Sequence, residues 1–475
     1  MSIAAQPETP LGAAQLGRVH FVGIGGVGMS AVARLLLGRG LAVQGSELAS
    51  WPVLDALREL GATIFPTHDV RNLAGVDTVI YSTAIPADHP ELVEARDRGL
   101  RIIHRSQALA AAMTDRDTIA VAGSHGKTTT STLTSFILQQ CGADPSYVIG
   151  GVLAGTDTNA HSGTGTLLVA EADESDRTFL HYQPFVAIVT NIGDDHLSAY
   201  GTTEALHEAF QQFTASVRPD GFLIACADDH GSRQLAEHAR QQGRTVYTYG
   251  QSADADLRIT DLTSDAQGSR YLAVIDGEPA GEVQLPMPGE HVSLNSAAAA
   301  LTAVRLGHEF SRVAAAIAEF PGVGRRLEHK GTVDGVRLYD EYSFHPRSMA
   351  TAIRTMRQVT DGHRLLLVFQ PLRMGRTTTF LEDIATALGA ADDVIVLNVF
   401  DASTDEGKDD LARQLVQQIP LSDRNKTYAA SWKEAIYEAV DRAAQGDVVM
   451  TMGAPPIGLM APELMAALHA RAGQG

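Results

Sequence analysis

The feature that most constrains this chain is a short glycine-containing loop between a strand-like and a helix-like segment. The apolar run 118–121 leads into Gly123-Ser124-His125-Gly126-Lys127-Thr128-Thr129, and the pattern predicts a helix over 128–139. A strand that turns sharply into a helix aims its backbone N–H groups at one point, and glycines let a polyphosphate approach them. Lys127 is placed to neutralise the β and γ phosphates, and the Thr128 hydroxyl to complete a Mg²⁺ shell. The loop therefore predicts a nucleotide-phosphate site.

The spacing of this loop departs from the general phosphate-loop pattern, which has four residues between its glycines. Here only Ser124 and His125 separate Gly123 from Gly126. An ordinary strand-to-helix turn with a surface lysine is the alternative interpretation. The preceding strand, the threonine-rich start of the helix and an acidic cluster about 45 residues later favour the nucleotide site.

Length and charge narrow the classes of function. At 475 residues the chain is too long for one core, and its length predicts roughly three domains. The net charge of −19 opposes binding to nucleic acid or anionic lipid by overall attraction. An anionic substrate must then be held by local lysines, arginines and helix N-termini. We expect small-molecule chemistry without a nucleic-acid partner.

The remaining composition predicts a cytoplasmic protein with no membrane partner. Residues 1–15 lack the basic start and apolar core of a signal peptide, and no uncharged apolar run reaches the roughly 18 residues of a membrane span. The two cysteines, Cys141 and Cys226, are far apart and form no metal-type pair. Both are predicted to be reduced and buried.

A second glycine motif lies near the N-terminus. Residues 18–22 predict a strand that enters Gly23-x-Gly25-Gly26-x-Gly28-Met29, followed by a helix over 30–38 and a second strand over 41–47 that ends in Glu47. This layout is typical of dinucleotide folds, with a diphosphate at the helix N-terminus and a carboxylate near a ribose. A purely structural turn is the alternative.

The alternation of strands and helices continues after this motif. Strand-like segments at 61–65, 78–85 and 100–104 are separated by helical stretches at 53–60 and 90–98, which predicts a doubly wound α/β sheet. Ser82, Thr83 and Ala84 lie at the carboxyl end of a strand, where open sheets bind ligands. The first domain is predicted to end near residue 112.

Acidic residues close two later strand-like segments. The run from Leu167 ends in four acids, and the run from Phe185 ends at His196. Acids at the ends of buried strands are costly if they stay unpaired. We interpret Asp173 and Asp176 as helix N-caps. Glu174 and His196 are better explained as a divalent-metal pair, because each closes a strand beside the phosphate loop.

The last third of the chain begins after a predicted alanine-rich helix over 296–306. His291 and Asn295, four residues apart, are expected to share a helix face, with simple N-capping as the alternative. A glycine- and proline-rich hinge at 320–328 follows. Strand-like segments at 336–342, 364–370, 393–397 and 447–453 then alternate with helices and predict a further α/β domain.

The motifs in this order closely resemble the Mur ligase family. They are Gly-Ile-Gly-Gly-Val-Gly-Met, Gly-Ser-His-Gly-Lys-Thr-Thr, Glu-Ala-Asp-Glu-Ser-Asp, Thr-Asn-Ile-x-x-Asp-His and Gly-Val-x-Arg-Arg-x-Glu. The resemblance covers residues 17–470 and is strongest to the members that add L-alanine. It implies an α/β protein of three domains: a Rossmann-like N-terminal domain that binds a UDP-sugar (1–112), a central P-loop mononucleotide-binding domain (113–324) and a Rossmann-like C-terminal domain (325–475).

The resemblance implies an ATP- and Mg²⁺-dependent ligase that joins the carboxylate of UDP-N-acetylmuramate to an amino acid, most simply L-alanine, through an acyl phosphate. Thr128 and Glu174 would hold Mg²⁺, and His196 a second metal. His291 and Asn295 match adenine contacts. Arg326, with Arg325 beside it, matches an arginine that reaches the phosphates when the third domain closes, and Glu341 is assigned to the nucleotide site. A monomer or homodimer is expected.

The third domain departs from the family pattern. Where the alanine-adding members usually have two consecutive histidines before a proline, this chain has Phe344-His345-Pro346, and Leu372 stands where they have a further histidine. The expected substrate-binding set of this domain is Tyr342, Phe344, His345, Leu372, Arg373 and Arg376. Because the two replacements remove hydrogen-bonding groups, the identity of the amino acid is the open part of the prediction.

Three alternatives to the alanine ligase each account for part of the sequence. A paralogue that accepts another amino acid or amine keeps the chemistry and changes only the acceptor. A non-catalytic nucleotide-binding regulator does not explain a complete set of Lys127, Thr128, Glu174 and His196. A nicotinamide-dependent dehydrogenase, suggested by the first glycine motif alone, does not explain the phosphate loop.

Overall fold

A parallel sheet of five strands forms the first part of the chain in the computed structural model, which describes residues 11–156, 158–175, 177–193, 200–401, 403–404, 406–453 and 456–473. The strands are β1 (Val19–Val22), β2 (Val43–Ser46), β3 (Thr63–Phe65), β4 (Thr78–Tyr81) and β5 (Arg101–His104). Their order is β3-β2-β1-β4-β5, so the order reverses between β1 and β4. Ligands bind at such a reversal, beyond the carboxyl ends of the strands.

Helices and short 3₁₀ turns connect these strands. Proline occupies the first helical position in two of the helices, where its missing N–H costs no hydrogen bond. The helices are Val27–Gly38, Pro52–Glu59, Pro90–Asp97 and Arg105–Met113, and the 3₁₀ turns are Ala13–Leu16 and Val70–Leu73.

A ten-stranded sheet follows. Its strands are β6 (Asp117–Ala122), β7 (Ser146–Val148), β8 (Ala160–His161), β9 (Leu167–Glu171), β10 (Val186–Val189), β11 (Phe222–Cys226), β12 (Val246–Gly250), β13 (Leu257–Asp265), β14 (Gly268–Ile275) and β15 (Glu278–Leu285). The order is β15-β14-β13-β12-β11-β10-β6-β9-β7-β8. Since β6 is parallel to both β10 and β9, the loops after these three strands emerge at one edge. The helices are Lys127–Gln140, Thr203–Ala215, His230–Gln241, Glu290–Arg305 and Phe310–Ala318, with a 3₁₀ turn at Thr178–His181.

The last sheet has six strands, β16 (Glu328–Val333), β17 (Val336–Glu341), β18 (Leu365–Gln370), β19 (Asp393–Leu397), β20 (Lys426–Ala429) and β21 (Val448–Gly453), in the order β16-β17-β21-β18-β19-β20. Only the edge strand β16 is antiparallel to its neighbour. The helices are Pro346–Val359, Met374–Thr379, Leu381–Leu388, Lys408–Gln418, Trp432–Arg442 and Ala461–Ala472, and the 3₁₀ turns are Asp423–Asn425 and Ile457–Met460. Every residue of β18 is buried, as expected for a parallel strand covered on both faces.

The predicted α/β class with three sheet-based domains is confirmed, and the sequence placed most strands within a few residues. Two helix starts were predicted too late: the first glycine helix begins at Val27 instead of residue 30, and the alanine-rich helix begins at Glu290 instead of residue 296. His291 and Asn295 therefore lie on a helix, four residues apart, as expected. The strands that were not predicted are β7, β8, β11, β12, β13, β14, β15, β16 and β20.

The chain divides into two compact units. One comprises Met1–Asp261, Tyr271–Val283 and Leu294–Phe320, and the other comprises Leu262–Arg270, Gln284–Ser293 and Pro321–Gly475. The domain boundaries at 112 and 324 stay predictions. Both cysteines are free and buried, as expected. None of the helices in the described ranges has the length and apolar character that a membrane crossing requires.

Candidate active site

The phosphate loop occupies the turn between β6 and the helix that begins at Lys127. Gly123 and Gly126 have φ angles of 129° and 84°, which side chains rarely adopt. A Cβ at Gly123 would collide with the Thr190 hydroxyl, and one at Gly126 would lie 2.6 Å from Oδ1 of Asn295. Two glycines are therefore required here by backbone conformation and by crowding. The structure also brings the predicted adenine contact Asn295 directly against the loop.

The residues after β10 fix the shape of this loop. Asn191 accepts hydrogen bonds from the backbone N–H groups of Ser124 (3.1 Å, to its carbonyl) and His125 (3.0 Å, to Oδ1). The Thr190 hydroxyl and the Asn191 amide both donate to the His125 carbonyl, at 2.6 and 2.9 Å. The Ser124 hydroxyl accepts from the N–H of Gly193 at 2.8 Å. The loop is thus held in place by the neighbouring strand end, which is the pre-organisation that a charge-stabilising site needs.

Lys127 and Glu174 form an ion pair at this edge. The Lys127 ammonium donates to both carboxylate oxygens of Glu174 at 2.9 Å and to the carbonyl of Gly123 at 2.6 Å. The Glu174 side chain is fully buried, and that of Lys127 is 15% exposed. Burial lowers the pKa of Lys127, but Glu174 and Asp173 outweigh it and hold that pKa above its usual value. Burial raises the pKa of Glu174 despite the opposing effect of Lys127. The lysine is cationic and aimed at the loop.

Other acids of the predicted cluster have mixed outcomes. The carboxylate of Glu171 accepts from the N–H of Gly150 at 2.5 Å and from the Ser131 hydroxyl at 3.2 Å, so it braces the sheet edge. Asp173 accepts from the N–H of Ser175 at 3.0 Å, whereas the residue that caps the next 3₁₀ turn is Arg177. Asp173 was therefore wrongly interpreted as a helix cap. The predictions for Asp176 and His196 lie outside the described residues.

Thr128, Thr129 and Glu174 offer the chemistry that Mg²⁺ and a polyphosphate require. Hydroxyl and carboxylate oxygens are the ligands that Mg²⁺ takes in proteins. Thr128 and Thr129 are buried in the first turn of the helix, directly after the loop. A helix N-terminus, an adjacent lysine and glycines that leave no room for a Cβ form a cradle suited to phosphate oxygens. The donor set therefore fits a magnesium–nucleotide complex.

The first glycine motif forms a second turn, between β1 and its helix. The register of β1 on β4 pairs Val19 with Thr78, which brings Gly23 level with Ser82 at the point where the strand order reverses. Ser82, Thr83 and Ala84 thus lie at the same sheet edge as the glycines, as predicted. The Glu47 carboxylate accepts from the N–H of Gly25 at 3.1 Å and so supports the turn itself. Met29 is 3% exposed and packs in the core, which leaves only its backbone for a ligand.

Two side chains near this turn were missed by the sequence analysis. The Arg105 guanidinium lies where a Cβ on Gly28 would meet it at 2.9 Å, and Trp51 lies 2.6 Å from the Cβ position of Gly25. Trp51 is 52% exposed, so its ring is available to a ligand. Arg105 follows β5 and Trp51 follows β2, and both of these strand ends belong to the same edge. That position in a parallel sheet is the signal that would have identified them.

In the unit that contains the third sheet, two predicted nucleotide residues are arginines beside Tyr342. Arg325 has a φ angle of 61° and donates to Asp340 at 2.8 Å and to the carbonyl of Gly453 at 2.8 Å. Arg326 donates to the carbonyl of Tyr342 at 2.7 Å, and both guanidinium groups lie about 5 Å from the Tyr342 ring. Arg325 is thus structural in this conformation, and Arg326 lies at the turn's surface.

Glu341 and His291 belong to the same unit. The buried Glu341 carboxylate accepts from the N–H of Leu327 at 2.8 Å and lies 3.8 Å from Arg326. Burial raises the pKa of Glu341 against the effect of Arg326. Burial, with Arg354 and Arg326, lowers the pKa of His291 to about 4. His291 is therefore neutral at physiological pH, and Glu341 supports Arg326. Their roles in nucleotide binding stay predictions.

The predicted acceptor residues form an aromatic group with a cation above it. The rings of Tyr342 and Phe344 are 5.3 Å apart in an edge-to-face arrangement, and the Arg376 guanidinium lies 4.8 Å from the Phe344 ring. His345 packs against Phe380, and Leu372 forms a bridge with Phe400. Arg373 has a φ angle of 58° and donates its N–H to the Phe400 carbonyl. The structure thus gathers Tyr342, Phe344 and Arg376, while Leu372 and Arg373 are tied to the segment around Phe400.

The chain matches sequence profiles of one family in all three regions. The profile described as "Mur ligase family, catalytic domain" matches residues 18–117, "Mur ligase middle domain" matches 121–303, and "Mur ligase, glutamate ligase domain" matches 325–455.

Individual proteins agree with these profiles. A UDP-N-acetylmuramate–L-alanine ligase of Salinispora arenicola is 53% identical over 98% of this chain and 91% of that protein. One of Acidothermus cellulolyticus is 43% identical over 97% of each. The crystal structure of a UDP-N-acetylmuramate–alanine ligase of Thermotoga maritima matches with a TM-score of 0.80 and 26% identity, over 96% of this chain and 99% of that one. The similarity therefore extends through all three sheets.

Proposed function

This chain belongs to the Mur ligase family, as its motifs indicated, and we propose that it joins UDP-N-acetylmuramate to L-alanine at the expense of ATP. The products are UDP-N-acetylmuramoyl-L-alanine, ADP and inorganic phosphate. The observation that carries the proposal is the Lys127–Glu174 pair beside a loop whose glycines leave space for phosphate oxygens. Neither a dehydrogenase nor a simple binding module requires that arrangement.

The reaction has to turn a carboxylate, which is a poor electrophile, into a reactive acyl group. A carboxylate oxygen attacks the γ phosphorus of ATP, the bond to the β–γ bridging oxygen breaks, and ADP leaves. The amino nitrogen of alanine then attacks the carbonyl carbon of the acyl phosphate and loses a proton. The carbon–oxygen bond to phosphate breaks, and inorganic phosphate departs. Two anions must meet in the first step, so the site has to offset their repulsion.

Residues at the edge of the ten-stranded sheet are suited to that task. Lys127 supplies a fixed positive charge, and the backbone N–H groups at the start of its helix point towards the loop. Thr128 and Glu174 would hold Mg²⁺, and His196 is predicted to hold a second metal. The metal would supply further neutralisation of the phosphate charge. Glu174, which pairs with Lys127 in this structure, would share its carboxylate between the lysine and the metal.

The UDP-sugar is assigned to the first sheet. The turn from Gly23 to Gly28 ends at a helix N-terminus, Arg105 provides a cation beside Gly28, and Trp51 offers an aromatic face beside Gly25. Together these groups suit a diphosphate joined to a ring. We place the enzyme in the cytoplasm, because the proposed substrates are soluble nucleotides and an amino acid. We expect a monomer or a homodimer.

The test is phosphate release from ATP in the presence of UDP-N-acetylmuramate, with and without each of several amino acids, and identification of the product by mass. We expect release that requires the UDP-sugar and an amino acid, with a product heavier by one alanyl residue. The proposal is contradicted if the rate of phosphate release is the same without the UDP-sugar and the amino acid, or if no amino acid supports release.

A further inference from the structure

Three side chains with metal-binding groups meet beyond the carboxyl edge of the first sheet, apart from the residues assigned above. They are His68, in the loop after β3, and His89 and Glu91, at the start of the helix Pro90–Asp97. One ligand-type atom of each lies within 4.8 Å of the other two. The two imidazole rings are edge to face, with their centroids 4.6 Å apart, and the His68 ring reaches Glu91, with Nδ1 3.5 Å from Oε2. Tetrahedral zinc ligands are about 3.4 Å apart, so side-chain rotations would bring Nε2 of His68 to that distance from the other two ligand atoms.

The carboxylate of this group is deeply buried among polar groups. Nε2 of His20 lies 3.4 Å from Oε1 of Glu91. The Ser46 hydroxyl donates at 2.6 Å and the Asn72 amide at 3.0 Å. Glu91 is fully buried. A buried anion of this kind favours a cation beside it.

Both imidazoles can offer a lone pair. Ser46 gives its one hydroxyl proton to Glu91, so it accepts the proton of His68 Nδ1 at 2.8 Å, which leaves the lone pair of His68 on Nε2. Nδ1 of His89 is buried and has no hydrogen-bond partner within the described ranges. An orphaned buried nitrogen beside a buried carboxylate indicates that a ligand completes the group.

We propose that His68, His89 and Glu91 bind a divalent transition-metal ion of the zinc type. Two imidazole nitrogens and one carboxylate oxygen are a zinc donor set, whereas Mg²⁺ takes oxygen ligands. The groups that would orient the ligands are already present. Ser46 fixes the tautomer of His68, and Ser46, Asn72 and His20 hold Glu91. His68 and His89 are partly exposed, so the fourth coordination position is open to water.

The ion would brace the sheet edge that carries the first glycine turn. It would link the loop after β3 to the start of the helix Pro90–Asp97, and through Ser46 to β2. The Ser46 carbonyl accepts from the N–H groups of Gly23 and Ile24, at 2.9 and 3.1 Å. Metal binding is therefore expected to stabilise the first sheet and the turn above it. This inference does not depend on the proposed ligase activity.

The test uses tag-free full-length protein that has been stripped with a chelator. The protein is equilibrated with Zn²⁺, or with Co²⁺ as a spectroscopic probe, in excess Mg²⁺ to occupy oxygen sites, and desalted. Bound metal is then measured by elemental analysis. The key variant is His89→Ala, because the side chain of this N-cap residue makes no capping hydrogen bond, and its Nδ1 has no hydrogen-bond partner in the described part of the chain. His68→Gln is the second variant. His308→Ala is the matched control, since His308 is also partly buried with a pKa lowered by burial.

We expect one zinc per chain in the wild type and in His308→Ala, and an affinity at least ~100-fold lower in His89→Ala and His68→Gln. Loss of an outer-shell partner alone costs 10–100-fold, so loss of a ligand costs more. Cobalt should give the visible absorption of a tetrahedral site in the wild type and in His308→Ala, and not in His89→Ala or His68→Gln. Zinc should raise the melting temperature of the wild type, while the chelated wild type and His89→Ala melt together. No retained zinc in the wild type, or equal retention in His89→Ala, overturns the proposal and leaves a hydrogen-bonded network.

Discussion

Replacing Lys127 with methionine separates the catalytic role of the ammonium from its structural role. Methionine keeps most of the apolar stem but removes three hydrogen bonds, two to Glu174 and one to the Gly123 carbonyl. The Glu174 side chain is fully buried, so it cannot turn to water in the folded protein. Without Lys127 its charge loses a cationic partner, which favours the uptake of a proton.

The cost of that protonation gives an upper limit to the loss of stability. The ordinary pKa of a glutamate is 4.5, so protonating the carboxyl at pH 7 costs about 3.4 kcal/mol, at 1.36 kcal/mol per pH unit. Breaking a buried ion pair typically costs about 3–5 kcal/mol, so protonation is the easier outcome. Burial already raises the pKa of Glu174 in the wild type, and removal of Lys127 raises it further. The variant therefore loses stability relative to the wild type as the pH rises above the wild-type pKa of Glu174. The two proteins should be closest in stability at pH 5, and the variant should fall behind at pH 7 and 8 by up to about 1.4 kcal/mol per pH unit.

Glu174→Gln is the matched partner change. In Lys127→Met/Glu174→Gln no buried charge remains, so the pH dependence should disappear and much of the stability should return. Activity should not return, because no cation faces the phosphate; we expect a loss of at least ~10²-fold in phosphate release for both Lys127 variants. Urea unfolding at pH 5, 7 and 8 is read on the transition that ADP stabilises, since a chain of several domains does not unfold in one step. Turnover near the wild-type level in Lys127→Met would refute the assignment of the loop, and a loss of stability independent of pH would refute the ion-pair argument.

Three further predictions concern other parts of the chain. UDP at a hundredfold excess over its Kd should stabilise the wild type by about 2.7 kcal/mol without ATP. Gly25→Ala, which crowds Trp51 and Glu47, should lose this shift, while Gly12→Ala keeps it; stabilisation by NADH instead would support a dehydrogenase. If Phe344 lines the acceptor pocket, larger apolar amino acids should match L-alanine in kcat/KM or exceed it by several-fold in a one-pot competition. A preference for L-alanine that is the same in the wild type and in Phe344→His would contradict this. Because the His291 pKa is lowered to about 4, wild-type stability should fall from pH 6.5 to 4 more steeply than that of His291→Gln, as measured by urea unfolding.

The features that the sequence predicted well are those in which a local pattern meets a general rule of parallel sheets. The loop from Gly123 to Thr128 is contiguous, and its glycines are required by φ angles that the sequence alone indicates. Glu174 could be placed near Lys127 because both follow strands of one parallel sheet, whose carboxyl ends share an edge. That rule brings the two residues to one edge of the sheet, where the structure places their charged atoms 2.9 Å apart. The distance between them along the chain does not indicate this contact.

The features that the sequence did not predict depend on contacts between distant residues without a local pattern. Arg105 and Trp51 reach the first glycine turn from the ends of two different strands. Glu91 looks like an ordinary acidic residue in the first turn of a helix, and only the fold shows that it is buried against Ser46 and His20. A buried charge is stable only where neighbouring residues or a ligand offset its charge. Buried charged residues therefore commonly fix the local geometry or bind a ligand. Three buried carboxylates show the difference: Glu174 pairs with Lys127, Glu341 lies beside Arg326, and Glu91 contacts histidines. Lysine and arginine carry a permanent positive charge, whereas a neutral histidine offsets a buried negative charge only if it takes up a proton or binds a metal ion. Glu91 is therefore the carboxylate for which a bound cation is expected.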